Sequence, residues 1–319
     1  MPAGQSVPKL HIGNTVEQQV ILITGANGNL GRRLLTILTQ RGEKVRAVVR
    51  SSRAAEQIQQ LDLESAPEVV QLDYLDASAM GAAMQGCRAV VHLVGIIKES
   101  AASTYQAAHE GTTRVIAEQA PSAGIERIVY LSIVGTSVNS ANSCLCSKAL
   151  GENILRNGSV ATLVLRVPMV LGEGDYASAA LKARAWRGTN VLLRGGSLEQ
   201  PIYAGDVVSA VVNALDVDPA LDEALDLAGP QSLSRAELTS AAARSVGRTT
   251  RTVSLPLFCG LAAAWVLERL SDNPPVTRAM LGVLDHDDRI DSAAARSRLG
   301  IELTPLDRML QLCLSTADG

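Results

Sequence analysis

Apolar runs and amphipathic stretches alternate along the first half of the chain. The apolar runs are short and near-continuous, as in 89–94, and such runs are typical of parallel strands buried on both faces. The predicted strands are 19–24, 44–49, 68–72, 89–95, 127–132 and 160–166, and the predicted helices are 29–41, 53–61, 76–85, 103–122 and 143–157. This alternation predicts an α/β fold with a doubly wound parallel sheet.

The pattern loosens after residue 167, where glycines interrupt the segment 168–200. A helix at 205–216 and a short strand at 224–228 return to the first pattern, whereas 229–319 is mostly helical. The predicted organisation is a flexible leader 1–17, a sheet domain of 18–167 plus 203–228, and a smaller, mostly helical C-terminal domain of 168–202 plus 229–319. We expect a ligand at the carboxyl ends of the strands, between the two domains.

Composition narrows the classes of function. Of the 319 residues, 47% are hydrophobic and 3% aromatic, and the net charge is −3, so no basic, aromatic-rich surface for nucleic acid is expected. The five cysteines are scattered without disulfide or zinc spacing, which predicts no metal site and a cytoplasmic location. Residues 253–267 are uncharged but too short for a span of about 20 residues. They predict a buried or partner-facing helix and no transmembrane segment.

The segment 20–31 predicts a strand, a glycine turn and a helix, which is the arrangement that binds a dinucleotide. Gly25 permits a sharp turn, Gly28 lets the backbone approach a pyrophosphate, and Gly31 lets the helix pack against the strand. The helix N-terminus offers N–H groups to the phosphates. The predicted contacts in this loop are Gly25, Asn27, Gly28, Asn29, Leu30 and Gly31.

The end of the second predicted strand indicates which nucleotide is bound. A carboxylate at this point would select NAD, but the chain has Arg50, followed by Ser51, Ser52 and Arg53. A guanidinium forms paired, charge-assisted hydrogen bonds with a 2′-phosphate. NADP(H) is therefore favoured over NAD(H).

The motifs TGANGNLGRRL, VVHLVGII, SCLCSKALGE and LRVPMVLGEGD, in this order, resemble the atypical or extended short-chain dehydrogenases/reductases. The nearest subgroup comprises the NmrA-like proteins and the relatives of the NADPH-binding subunit of respiratory complex I. The resemblance implies a Rossmann domain in which Asp73 contacts the adenine amine and Tyr74 borders the adenine. The other cofactor contacts that it implies are Leu93, Val94, Gly95, Lys148 and Pro168.

The sequence differs from the family pattern in the helix that usually carries the catalytic residues. The family usually has Tyr-x-x-x-Lys, and this chain has Lys148 preceded four residues earlier by Cys144. A thiol is shorter than a phenol by a whole ring, so loss of the tyrosine role is favoured over thiolate chemistry. Ser132 is the candidate hydrogen-bonding hydroxyl, and Tyr105 or Tyr176 could replace the missing phenol.

Two functions remain open from the sequence. The first is an NADP(H)-binding protein that acts as a redox sensor, assembly factor or accessory subunit, with a protein or membrane-complex partner at its C-terminal domain. The second is an NADP(H)-dependent oxidoreductase or isomerase for a small carbonyl or hydroxyl substrate, with an unusual proton donor. Candidate catalytic residues are Lys148, Ser132 and Cys144.

Overall fold

A computed structural model describes residues 20–100, 103–218, 221–271, 274–283 and 286–315; the predicted leader 1–17 lies outside them. The strands are β1 Val20–Thr24, β2 Val45–Val49, β3 Glu68–Gln71, β4 Cys87–His92, β5 Arg127–Ile133, β6 Thr162–Val167, β7 Val170–Leu171, β8 Thr189–Leu193, β9 Leu198–Glu199, β10 Ile202–Tyr203, β11 Ala224–Asp226, β12 Leu233–Ser234 and β13 Arg251–Leu255. The helices are α1 Asn29–Gln40, α2 Ser52–Gln59, α3 Ala77–Met84, α4 Thr112–Gln119, α5 Ser143–Arg156, α6 Tyr176–Ala185, α7 Ala204–Ala214, α8 Arg235–Ser245, α9 Leu257–Leu270, α10 Arg278–Val283, α11 Ala293–Leu299 and α12 Leu306–Leu314.

Seven parallel strands form the central sheet in the order β11-β6-β5-β4-β1-β2-β3. The chain reverses its direction of winding between β1 and β4, which is where doubly wound sheets bind ligands. One face is covered by α1, α7 and α11, and the other by α3, α4 and α5. The predicted doubly wound Rossmann fold is confirmed.

Two buried clusters lie on the two faces of this sheet, and both are built almost entirely from aliphatic residues. Tyr130 on β5 is the largest fully buried side chain among the described residues. A third cluster joins α6, α8 and α12 and forms the core of the C-terminal part. The aromatic-poor composition is therefore accommodated by close packing of Val, Leu, Ile and Ala.

The C-terminal part contains strands that the hydrophobic pattern did not predict. Strand β13 pairs in parallel with β8, and β12 pairs with β9. The predicted single helix over 253–267 is wrong, because 251–255 is strand and α9 begins only after Pro256. Proline lacks the N–H that a helix interior needs, and it is tolerated at a helix start.

The predicted helix 103–122 also differs from the structure. Its first part, Gln106–Gly111, is π-helical, and the α-helix proper begins at Thr112. Such insertions appear frequently at functional sites. Across the described residues, no helix combines the length and the apolarity that a membrane span requires.

Candidate functional site

The glycine loop connects β1 to α1 at the carboxyl edge of the sheet. Gly25 has φ +72°, in the left-handed region that favours glycine, and a Cβ there would lie 3.3 Å from the backbone of Leu93 and Val94. A Cβ on Gly31 would lie 2.6 Å from the carbonyl oxygens of Gly25 and Ala26. Both positions therefore require glycine so that β1, α1 and the end of β4 can pack together.

The first turn of α1 is open to a phosphate. Gly28 is the N-cap residue, it is exposed, and no side chain caps the turn. Its N–H donates to the carbonyl of Gly25 at 3.0 Å. Asn27, Asn29 and Leu30 are each half-buried around it. A pyrophosphate therefore has both the space and the helix N-terminus that it needs.

The residues predicted to contact the adenosine lie at the ends of β2 and β3 and in the turns that follow them. Arg50 is exposed, and its guanidinium carbon lies 5.8 Å from the centroid of the Tyr74 ring. Tyr74 is buried; its hydroxyl accepts from the Gly25 N–H and donates to the Val48 carbonyl, both at 3.0 Å. It thus supports the glycine loop from the inside. Asp73 is exposed, and its carboxylate accepts the N–H of Leu75.

A second loop closes over the start of α1. Asn29 donates to the backbone carbonyl of Glu173, and Arg33 both donates to that carbonyl and pairs with the Glu173 carboxylate at 2.6 Å. Tyr203 donates to the other oxygen of the same carboxylate. Asn29 is thus engaged in holding the loop after β7 against the helix that follows the glycine turn.

Lys148 lies on α5, and its side chain reaches the carboxyl ends of β4 and β5. Its Nζ donates to the carbonyl of Leu131 at 3.0 Å and to the Tyr130 hydroxyl at 3.1 Å, and it lies 3.5 Å from the Val94 carbonyl. Its partners are uncharged, and burial lowers the pKa of the ammonium to about 8. A Cβ on Gly95 would lie 3.0 Å from Nζ, so the glycine lets the β4 loop pass the lysine closely.

Cys144 lies one turn before Lys148 and is fully buried. Its Sγ lies 3.6 Å from the Ile96 carbonyl, and the thiol packs with Tyr105, Leu145 and Val283. Burial raises the pKa of the thiol to about 11, although Lys148 acts in the opposite direction. The thiol is therefore neutral at physiological pH.

Ser132 on β5 is tied to a carboxylate that the sequence did not single out. Its hydroxyl donates to Glu152 Oε1 at 2.5 Å, and Thr136 donates to the same oxygen at 2.9 Å. Arg166, which pairs with Ser132 in the sheet register, forms a two-point ion pair with the Glu152 carboxylate. Ser132, Thr136 and Arg166 thus all bind the Glu152 carboxylate, and these contacts hold α5 against the carboxyl ends of β5 and β6.

His109 joins the π-helical turn to α5. Its Nε2 accepts the N–H of Ile96 at 3.1 Å, which leaves the proton on Nδ1 to donate to Ser147 Oγ at 2.8 Å. Burial lowers the pKa of this imidazole to about 3, so it is neutral at physiological pH. Tyr105 stacks on it and donates its hydroxyl to the Ile97 carbonyl, so this phenol is engaged in structure.

A cavity of about 810 Å³ begins at the strand ends and extends into the C-terminal part. Leu93, Gly95, Ser132, Lys148 and Pro168 line its inner end. Its remaining lining is mostly aliphatic and comes from the strand ends, from β8 and from α6, α8, α9 and α10. Tyr176 lies at its edge and is almost fully exposed. The cavity thus follows the expected cleft between the sheet and the C-terminal part.

The glycine loop and the cleft are compatible with a bound nicotinamide dinucleotide, and comparison with known proteins indicates the same class of ligand. A family model described as NAD(P)H-binding matches residues 25–182. The chain therefore carries an NAD(P)H-binding domain on a Rossmann fold, and it is similar to the atypical short-chain dehydrogenases/reductases. The family's cofactor is a nicotinamide dinucleotide, and the glycine cradle of Gly25, Gly28 and Gly31 fits it.

Two curated relatives illustrate the range of the family. The chain is 25% identical over 252 residues to the mouse (Mus musculus) protein named NADH dehydrogenase [ubiquinone] 1 alpha subcomplex subunit 9, mitochondrial, covering 77% of this chain and 66% of the relative. It is 30% identical over 162 residues to ceramide reductase of Caulobacter vibrioides, covering 51% of this chain and 50% of the relative. The chain thus spans between half and about two thirds of the length of these relatives.

Among solved structures, the fold is shared with UDP-glucuronic acid 4-epimerase from Bacillus cereus, crystallised with UDP-glucuronic acid and NAD. The TM-score is 0.71 at 17% identity, over 93% of this chain and 98% of the epimerase. At this level of identity the likeness shows the fold alone.

Sequence reasoning missed the residues that surround the candidate catalytic helix. Glu152 follows Lys148 by four residues and therefore shares its helix face, a signal that was present in the sequence. Arg166 and Tyr130 reach the site from neighbouring strands, which no local spacing indicates. Within the described residues, no group of His, Cys, Asp or Glu side chains is arranged to hold a metal ion.

Proposed function

We propose that this protein binds NADP(H) and acts as a nucleotide-binding or accessory protein rather than as a conventional dehydrogenase. One observation carries the proposal. The position that usually supplies the phenol is Cys144, whose thiol is fully buried, neutral and directed at the Ile96 carbonyl. The helix therefore offers no proton donor one turn before Lys148.

The preference for NADP(H) rests on the end of β2. Arg50 is exposed beside Tyr74, and Ser51, the next residue, caps α2. No carboxylate occupies the end of the strand, so a ribose hydroxyl lacks its usual acceptor there. The 2′-phosphate of NADP(H) would meet the guanidinium at this point.

An accessory role is supported by the complex I relative and by the exposed apolar surface of the C-terminal part. We propose that the protein works on the cytoplasmic side, at the periphery of a membrane complex.

A second candidate function is favoured by the cavity and by Lys148 together. A purely structural subunit does not need a cavity of about 810 Å³ that is lined by Lys148 and by the residues after β4. A lysine with a pKa of about 8 lies in the range suited to general acid catalysis. When bound, a reduced nicotinamide supplies hydride; Lys148 would protonate the carbonyl oxygen of an apolar substrate to complete an alcohol.

Calorimetry and a reductase assay distinguish the two functions. For the accessory role, we expect NADPH to bind saturably and no NADPH oxidation with short-chain and long-chain aldehydes and ketones. Turnover that survives Cys144→Ala, is lost in Lys148→Met and falls as pH rises through about 8 would favour the second function. Turnover that is lost in Cys144→Ala would contradict both.

A further inference from the structure

The rarest side chains of this protein are all exposed in its C-terminal part. The chain has two tryptophans and one phenylalanine, and Trp186, Trp265 and Phe258 are all exposed, Phe258 by 69%. Each tryptophan ring lies beneath an arginine, Arg248 at 4.1 Å and Arg269 at 5.2 Å from the ring centroid. In a protein this poor in aromatics, their placement outside the core calls for a partner.

The ribbon of β8 and β13 contributes an exposed aliphatic row. The two strands are parallel, with Val191 opposite Val253 and Leu193 opposite Leu255. Val191 is 63% exposed, and Val253 and Leu255 are exposed as well, whereas the alternate residue Leu192 is buried. Because alternate side chains point to opposite faces, Val191, Leu193, Val253 and Leu255 share one apolar face of the ribbon, and Val191 also borders the cavity.

Helix α9 presents a second exposed apolar surface next to this ribbon. Its residues Phe258, Trp265, Val266 and Leu270 are exposed and recur at helical spacing on one side. The opposite side, including Gly260, Ala264 and Leu267, lines the cavity. A Cβ on Gly260 would overlap the Leu193 side chain, so α9 packs directly against β8. We call the outward residues Val191, Val253, Leu255, Phe258, Trp265, Val266 and Leu270 the aromatic face.

The charge of the segments that carry the aromatic face is predominantly positive. Segments 182–194 and 244–270 contain Lys182, Arg184, Arg187, Arg194, Arg244, Arg248, Arg251 and Arg269, against one acidic residue, Glu268. These segments therefore carry +7 in a protein of net charge −3, which leaves −10 on the rest of the chain. Glu268 itself pairs with Arg278 at 2.7 Å, and Arg194 lies 3.8 Å from Asp287.

We propose that the aromatic face docks on the surface of an anionic lipid bilayer. Exposed aliphatic and aromatic side chains would enter the boundary between headgroups and acyl chains, while the arginines meet the lipid phosphates. The 14-residue helix α9 lies on such a surface rather than crossing it. A docked α9 would separate the bilayer from the cavity by a single helix.

The observations favour lipid over other partners. A protein interface is depleted of charge at its core and mixes signs at its rim, whereas the charge here is almost entirely basic. A single-stranded nucleic acid needs open aromatic faces for stacking, whereas each tryptophan ring has an arginine over it. The aliphatic row of Val191, Val253 and Leu255 has no role in base stacking, but it fits an acyl boundary.

Tryptophan fluorescence tests the proposal on the unmodified protein, because Trp265, one of its two tryptophans, belongs to the aromatic face. Vesicles of phosphatidylcholine mixed with phosphatidylglycerol in equal parts should shift the emission to the blue. Vesicles with brominated acyl chains should quench it, and vesicles of phosphatidylcholine alone should do neither. An unchanged emission with every vesicle, or a shift produced by a single-stranded oligonucleotide but not by lipid, would overturn the proposal.

Co-sedimentation with the same vesicles tests the residues. Phe258→Ser with Leu270→Ser should weaken binding at least tenfold, and Arg187→Gln with Arg251→Gln should weaken it by about fivefold per arginine. The matched controls are Ile37→Ser with Val138→Ser and Arg114→Gln with Arg296→Gln, which alter exposed residues elsewhere. Unchanged NADPH binding checks that each variant is folded. Equal loss in the control pairs would show unspecific adsorption and contradict the proposal.

Discussion

Arg166 and Glu152 form a two-point ion pair at the edge of the sheet, with Arg166 Nε and a terminal nitrogen 3.0 and 2.6 Å from Glu152 Oε2. Glu152 is buried, and its other oxygen accepts the hydroxyls of Ser132 and Thr136. The carboxylate therefore determines the orientation of the candidate site serine as well as that of the arginine. In this structure the Ser132 hydroxyl donates its hydrogen bond to Glu152.

Removing that carboxylate charge should weaken the fold. We expect Glu152→Gln to lower the free energy of unfolding by about 2–3 kcal/mol, because Arg166 loses its partner and two hydroxyls lose a charged acceptor. Urea denaturation measures the effect. Asp226→Asn is the matched control, since Asp226 lies 3.8 Å from Arg166 and is half exposed, and it should change stability by less than about 0.5 kcal/mol. Equal losses in the two variants would contradict this role for Glu152.

Lys148 should make stability rise with pH in the alkaline range. The pKa of its ammonium is about 8 in the folded protein and 10.5 as the reference value, so between these values the unfolded chain binds more protons. The unfavourable burial of charge is present below pH 8 and is relieved as pH rises towards 10.5. Relative to Lys148→Met, the wild type should gain up to about 3 kcal/mol across this window. Parallel curves for the two proteins in urea denaturation would refute the shift.

Arg50 should set the choice of nucleotide. We expect Arg50→Ala to weaken NADPH binding by about 1.5–3 kcal/mol and to leave NADH binding nearly unchanged, because only NADPH has a 2′-phosphate for the guanidinium. Isothermal calorimetry measures both affinities. Arg53→Ala is the control, and it should reduce the difference in affinity between NADPH and NADH by less than Arg50→Ala does. Equal affinity of the wild type for NADPH and NADH would disprove the assignment.

Gly28 should be needed for binding but not for folding. A Cβ there would meet only the Gly25 carbonyl, at 3.3 Å, so Gly28→Val should fold while its side chain occupies the approach of the pyrophosphate. NADPH titration should show no binding to this variant. Gly196→Val, where a Cβ meets nothing within 4 Å, should bind normally. Retained binding in Gly28→Val would place the phosphates elsewhere.

Cys144 should be chemically inert in the folded protein. Its pKa of about 11 and its burial keep the thiolate concentration low and the sulfur inaccessible. Brief treatment with iodoacetamide followed by mass spectrometry should label Cys146 and Cys259, which are half-buried, well before Cys144. Rapid labelling of Cys144 in the native state would contradict the neutral, structural thiol.

Local pattern was sufficient for the elements that build the sheet. All seven strands of the central sheet and the helices α1, α2, α3, α5 and α7 were predicted to within a few residues. Each is a continuous apolar run or an amphipathic stretch that ends at a recognisable turn or helix signal. The prediction from local pattern was wrong at 253–267, where the uncharged, apolar composition indicated a single helix. The pairing of β13 with β8, more than fifty residues away in sequence, determines where strand ends and helix begins.

The sequence by itself determined the nucleotide-binding class, because the glycine loop needs only a strand, a turn and a helix that are contiguous in the chain. It also identified the substitution at Cys144 and the basic residue at Arg50, since both are visible as single positions. The tertiary structure alone decided what these residues contact. Lys148 receives its pKa from the burial that β4, β5 and α5 create together, and Glu152 meets Arg166 only because α5 crosses the sheet beside β6. Desolvation and long-range pairing depend on parts of the chain that are distant in sequence, so no local pattern encodes them.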